Sequence, residues 1–163
     1  MAGSVRVGWA VGARDTPAAR RSGLTAFGGG ALVMSFAALG FWLAPGFFAR
    51  LLSDQPEVIA ASVPLLAVCA VFQLSDGIQG VGAGVLRGAG DTRFAFLANL
   101  VGHYAVGLPV AIVLGIEMGR GVIGLWWGLC AGLTAVAIAL FTRFWRLSAG
   151  EIAPLEPHPI ALD

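Results

Sequence analysis

Asp76 is the residue with the most chemistry to offer. It stands in the stretch VFQLSDGIQGVGAGVLR (residues 71–87) and is the single charged residue between positions 58 and 86. Gln73 and Gln79 lie three residues to either side, so on a helix both flank the carboxylate on one face. Cys69, Phe72, Gly80 and Ala83 complete that stripe, giving a polar window with an aromatic beside it. Three uses fit such an acid. It could pair with a neighbouring helix, bind a coupling proton or cation, or control assembly. Ionisable groups within an apolar helix are expensive and tend to be functional, which favours the second use. Desolvation favours a carboxyl's protonated form and a nearby cation its ionised form. Proton or sodium and a cationic substrate would then compete for one group, which is the chemistry of an antiporter. Phe72, Gln73 and Gln79 are the companion candidates for a substrate or cation pocket. His103 could relay a proton, or pack against a neighbouring helix through a hydrogen bond. No metal-ligand spacing, nucleophile triad, acid/base pair or phosphate-binding loop is visible, so neither an enzyme nor a resident cofactor is expected beyond the coupling ion, and no nucleic acid partner.

The elements that must hold these residues are membrane helices. Hydrophobic residues make up 58% of the 163, and charged residues only 12%, about half the charged share of a soluble domain. Four runs carry almost no charge: 22–49, 58–86, 94–116 and 121–142. Each is long enough for the roughly 20 helical residues that cross a hydrocarbon core. Backbone groups in lipid must pair internally, so each span is predicted to be an α-helix. Proline should end the first at Pro45. The predicted spans are 23–44, 58–86, 94–116 and 121–142. An aspartate at a helix centre costs about 2.5–3.5 kcal/mol on the insertion scale. About a dozen strongly apolar neighbours, at roughly −0.3 to −0.6 kcal/mol each, outweigh it.

All ten basic residues are arginine. Eight of them (Arg6, Arg14, Arg20, Arg21, Arg87, Arg93, Arg143 and Arg146) precede the first span, follow the fourth, or join the second to the third; Arg50 and Arg120 occupy the other two loops. Basic loops stay cytoplasmic, so both termini are predicted to be cytoplasmic in a multi-pass protein of the plasma or inner membrane. Trp42, Trp126, Trp127 and Trp145 lie near predicted span ends, where tryptophan favours the interface.

Residues 45–57 read as an outer loop, with Asp54 placed to cap the next helix and Pro56 near its first turn. In RGAGDTR (87–93), Gly88 and Gly90 can end one helix and Asp91 or Thr92 can start the next. GARDT (12–16) resembles GAGDT (88–92), which suggests one turn solution used twice. Glycines four apart, at 80/84/88, 124/128/132 and 8/12, provide smooth stripes for close helix approach. Pro109 should kink the third span. Residues 1–13 look like the inner half of a further helix. Cys69 and Cys130 read as buried thiols rather than a disulfide. The tail, 148–163, is rich in proline and is expected to be disordered.

Residues 4–23 (SVRVGWAVGARDTPAARRSG) and 72–93 (FQLSDGIQGVGAGVLRGAGDTR) resemble segments of the multidrug and toxic compound extrusion (MATE) transporters. YAVGLPVAIVLG (104–115) and GLWWGLCAGL (124–133) follow in matching order. The combined element Gln–x–x–Asp–x–x–Gln followed by Leu-Arg-Gly-x-Gly-Asp carries most of the likeness. The resemblance implies an all-α integral membrane fold of twelve helices in two lobes, of which residues 1–147 would supply the end of the eighth helix and the ninth to twelfth. It implies export of organic cationic or aromatic compounds in exchange for sodium or protons. It places Asp76 where sodium-coupled members carry a cation-binding aspartate. An aromatic hydroxyl that assists there in some members falls at Phe72, which offers no oxygen, so sodium and proton coupling both stay open. The first lobe and an acidic partner in the seventh helix are expected to lie outside this chain. Two other readings remain at this point: a small membrane assembly or regulatory subunit packing through its glycine stripes, and part of a lipid-linked sugar flippase.

Overall fold

Proline, glycine and aspartate punctuate an otherwise continuous helical chain. The computed structural model describes residues 2–152. It comprises α1 (Ala2–Gly12), α2 (Thr16–Leu43), α3 (Pro45–Leu52), α4 (Pro56–Gly88), α5 (Thr92–Glu117) and α6 (Gly121–Leu147). Among the described residues there is no strand. Helices α2, α4, α5 and α6 are long and apolar enough to cross a membrane; α4, α5 and α6 contain the runs 58–86, 94–116 and 121–142, and α2 stops at Leu43, one residue short of the expected end at 44. Each runs a few residues beyond its charge-free core, because the backbone ladder does not stop where hydrophobicity does. Thus α2 begins at Thr16, ahead of Arg20 and Arg21, with Asp15 as its cap and Pro17 in the first turn.

The two similar turns share one geometry. After α1, the Arg14 amide donates to the Val11 carbonyl and the Asp15 amide to Ala10; after α4, Gly90 donates to Arg87 and Asp91 to Leu86. This is the paired carbonyl closure that ends many helices, and it needs a left-handed residue at its centre. That residue is Gly90 (φ 83°) in one turn and Arg14 (φ 56°) in the other. The aspartate that follows then opens the next helix. The Asp15 carboxylate accepts from the Ala18 amide at 2.9 Å and Asp91 from Phe94 at 3.3 Å.

Two expectations for the outer connection need correction. Residues 45–52 are not loop but the short helix α3, whose Phe48 packs edge-on against Phe41 of α2 at 4.9 Å. Pro45 does end α2, and its fixed φ then starts α3. Asp54 does not cap α4: Gln55 holds that position without a side-chain bond, and Ser53 accepts the Gln55 amide instead.

Helix α4 is the axis of the bundle, packed against α1, α2 and α6. Helices α5 and α6 meet through glycine. A Cβ on Gly124 would fall on the backbone of Leu114, and one on Gly128 on that of Ala111; Gly132 faces the backbone of Gly107 and Gly102. Along α4, Gly84 and Gly88 face Ser4 of α1, whereas Gly80 faces open space. In α5, Pro109 sits in an α-helical turn bounded by wider π-helical turns at Gly102–Gly107 and Val113–Glu117. The core at the arginine-rich end contains Val7, Phe27, Val85, Leu86, Leu140 and Phe144, all buried. The tail beyond Leu147 is described only to Ile152, which is buried and donates its amide to Thr16 Oγ1 at 3.2 Å. The rest of the expected disordered tail, 153–163, lies outside the described residues.

Candidate coupling and substrate site

The site is built on α4, which presents different side chains to different neighbours as it turns by about 100° per residue. Asp76 is exposed on the side of α4 that carries Gly80. Among the described residues the only ion pair joins Arg143 to Asp91, so the Asp76 carboxylate has no charged partner there. Gln73, one turn away, is half-buried, and its Nε2 is buried without a hydrogen-bond partner. An unmatched amide beside an unmatched carboxylate makes a polar opening in an apolar wall.

Gln79 faces α5. Its Nε2 donates to Oδ1 of Asn99, whose own Nδ2 donates to the Ala95 carbonyl at 2.8 Å. His103 Nδ1 lies 2.9 Å from the Asn99 carbonyl. A carbonyl can only accept, so Nδ1 carries the proton and Nε2 is the nitrogen left free. Gln79 and His103 therefore meet at one residue, Asn99, which the sequence reading passed over. Its signal was the spacing of Ala95, Asn99 and His103, four apart on one helix face.

Phe72 faces α6, where its ring meets Trp126 edge-on with centroids 5.4 Å apart. The predicted single stripe thus divides. Phe72 and Gln79 are engaged with α6 and α5, while Gln73 and Asp76 stay without side-chain partners. Next to Asp76, the buried Ser75 turns the other way and shares a 2.8 Å hydrogen bond with Thr134 of α6. That pair, 59 residues apart, had no local sequence signal. Cys69 and Cys130 are both free thiols.

Helix α4, whose Asp76 carboxylate has no ion-pair partner among the described residues, and three further helices of membrane-spanning length make this a polytopic membrane protein. A profile of the MatE family matches residues 1–113, and the chain belongs to that family. It is 42% identical over 160 residues to the multidrug resistance protein NorM of Burkholderia vietnamiensis, across 94% of this chain and 34% of that protein. It is 37% identical over 149 residues to the multidrug resistance protein MdtK of Proteus mirabilis, across 89% and 33%. The crystal structure of the eukaryotic MATE transporter AtDTX14 matches the fold with a TM-score of 0.81, at 24% identity, over 90% of this chain and 34% of that one. The chain spans about a third of the length of the relatives it matches.

Proposed function

We propose that this chain is the C-terminal part of the second lobe of a multidrug efflux transporter driven by a proton or sodium gradient, with Asp76 as its coupling carboxylate. The observation that carries the reading is the exposed, unpaired position of Asp76 on a membrane helix, one turn from the unpartnered amide of Gln73. A group so placed exchanges one cation for another without first breaking an internal ion pair. The names of the NorM and MdtK relatives support multidrug compounds as the cargo. Phe72 with Trp126 supplies an aromatic pair whose ring face would attract a flat cationic substrate. His103, with Nε2 free, would pass a proton where the coupling ion is H+. Alternating access needs two lobes rocking about a central site, so the remaining two thirds of a relative's length would supply the other lobe and an acidic partner. The bias of arginine toward the two ends and the α4–α5 turn supports a cytoplasmic position for both termini of this segment.

The first test is the size of the native protein, blotted from source membranes with an antibody to residues 151–163. A band several times larger than 16.7 kDa is expected. A band near that mass would remove the second lobe from the reading. In the protein so defined, Asp76→Asn should abolish resistance to toxic cations while leaving the amount in the membrane unchanged. Resistance equal to wild type would sink the role of Asp76.

A further inference from the structure

A second feature lies on the opposite side of α4 from Asp76. Leu74 and Ile78 stand two residues to either side of the acid, about 200° around the helix. Above them α2 and α6 diverge and leave an apolar cleft of about 610 Å³, walled by Leu24, Gly28 and Ala31 of α2 and by Ile138 and Phe141 of α6. The cleft is open on its outer side, where Gly28 and Ile138 are exposed. Its polar atoms are already satisfied, because Ser75 and Thr134 bond to each other. It therefore offers hydrocarbon nothing but hydrocarbon.

One end of the cleft is charged. An aromatic ladder descends from it toward the arginine-rich end of the bundle: Phe27 meets Phe141 at 5.2 Å, Phe141 meets Trp145 at 6.0 Å, and the guanidinium of Arg20 lies 4.7 Å over the Trp145 ring. Arg20 is one helical turn below Leu24 and makes no ion pair with any described carboxylate. Tryptophan and arginine at a span end lie at headgroup depth. The cation and the apolar cleft are thus arranged as the two ends of a phospholipid are, phosphate at the interface and chain toward the midplane.

We infer that the cleft is a binding site for an anionic phospholipid, with its phosphate on Arg20 and one acyl chain between α2 and α6. The inference needs only that these helices cross a bilayer; it does not depend on the efflux reading. The aromatic ring under Arg20 holds the guanidinium in place, so that a phosphate meets an ordered donor rather than a free side chain.

The test uses the protein as expressed in its own membrane, purified and placed in phosphatidylcholine nanodiscs. Each disc carries an equal trace of phosphatidylglycerol or phosphatidylcholine with a photoactivatable group on the acyl chain, and labelled peptides are mapped by mass spectrometry. Residues 24–31 and 137–141 should take about fivefold more label from phosphatidylglycerol than from phosphatidylcholine. The exposed face of α5 around Leu97 and Val101 should take both equally. Arg20→Ala should remove the preference and leave the cleft labelled. Gly28→Leu, whose added side chain enters open space, should fill the cleft and lower its labelling by both probes. Equal labelling of the wild-type cleft by the two lipids would overturn the anionic site. So would a preference that survives Arg20→Ala. A cleft labelled no more than the α5 face would mean that a protein segment or a second copy covers it, and would overturn the lipid site altogether.

Discussion

The Asp91 carboxylate performs two tasks at once: Oδ1 accepts the Phe94 amide at 3.3 Å, and Oδ2 accepts Nε of Arg143 at 2.7 Å. The first opens α5; the second ties the turn between α4 and α5 to the end of α6. Arg143 also lies 5.1 Å over the Phe94 ring. Asp91→Ala should cost about 1–2 kcal/mol, the sum of a lost cap and a partly exposed pair. Asp91→Asn keeps the cap and should cost less than about 1 kcal/mol. Reversible unfolding in mixed micelles measures both. Equal losses would mean that the ion pair, not the cap, holds the turn.

Arg14 occupies the left-handed position that Gly90 occupies in the matching turn. A side chain there costs about 1–2 kcal/mol, part of which glycine returns through its freedom when unfolded. Arg14→Gly should therefore stabilise the protein by about 0.5–1 kcal/mol, and Gly90→Ala should destabilise it by about 1 kcal/mol. If Arg14→Gly is destabilising, the arginine side chain contributes something beyond its backbone geometry.

Glycines of the same helical bundle should differ sharply under substitution. Gly128 lies against the backbone of Ala111, which cannot step aside, whereas a Cβ on Gly29 meets nothing within 4 Å. Gly128→Val should cost about 3 kcal/mol or more by forcing α5 and α6 apart. Gly29→Ala should be neutral or stabilising by up to about 1 kcal/mol. Similar stability of the two variants would show that α5 and α6 do not pack as described.

Gln79 and Asn99 join α4 to α5 inside the apolar layer. A double-mutant cycle with Gln79→Leu and Asn99→Leu should give a coupling of about 0.6–2 kcal/mol, the usual range for such bonds in membranes. His103 bonds to the Asn99 main-chain carbonyl, so its position should not change in either variant. Zero coupling would mean that the two amides do not meet.

Much of the architecture was legible in the chain. Four runs with at most one charge located four helices, because lipid forces each backbone to satisfy itself within one segment. GARDT and GAGDT announced one shared turn, because helix closure followed by an aspartate cap is a local matter of a few residues. The glycines at 124, 128 and 132 foretold a close helix contact, though not that α5 would be the partner. The short helix α3 was missed because proline, which ended α2, is equally suited to begin a new helix. Asp54 was misjudged because the choice among neighbouring caps depends on where the chain leaves the previous helix.

The sequence alone determined which residue types could do chemistry and which runs are apolar enough to cross a membrane, since composition and spacing govern both. It could not say which way each residue of α4 faces in space. Two neighbours packed against one helix decided that: α5 took Gln79, α6 took Ser75 and Phe72, and Asp76 was left open. Those partners lie from 20 to 59 residues away in the chain for the two hydrogen-bonded pairs. Such separations leave no periodic trace, so only the packed bundle could place the carboxylate on one side of α4 and the apolar cleft on the other.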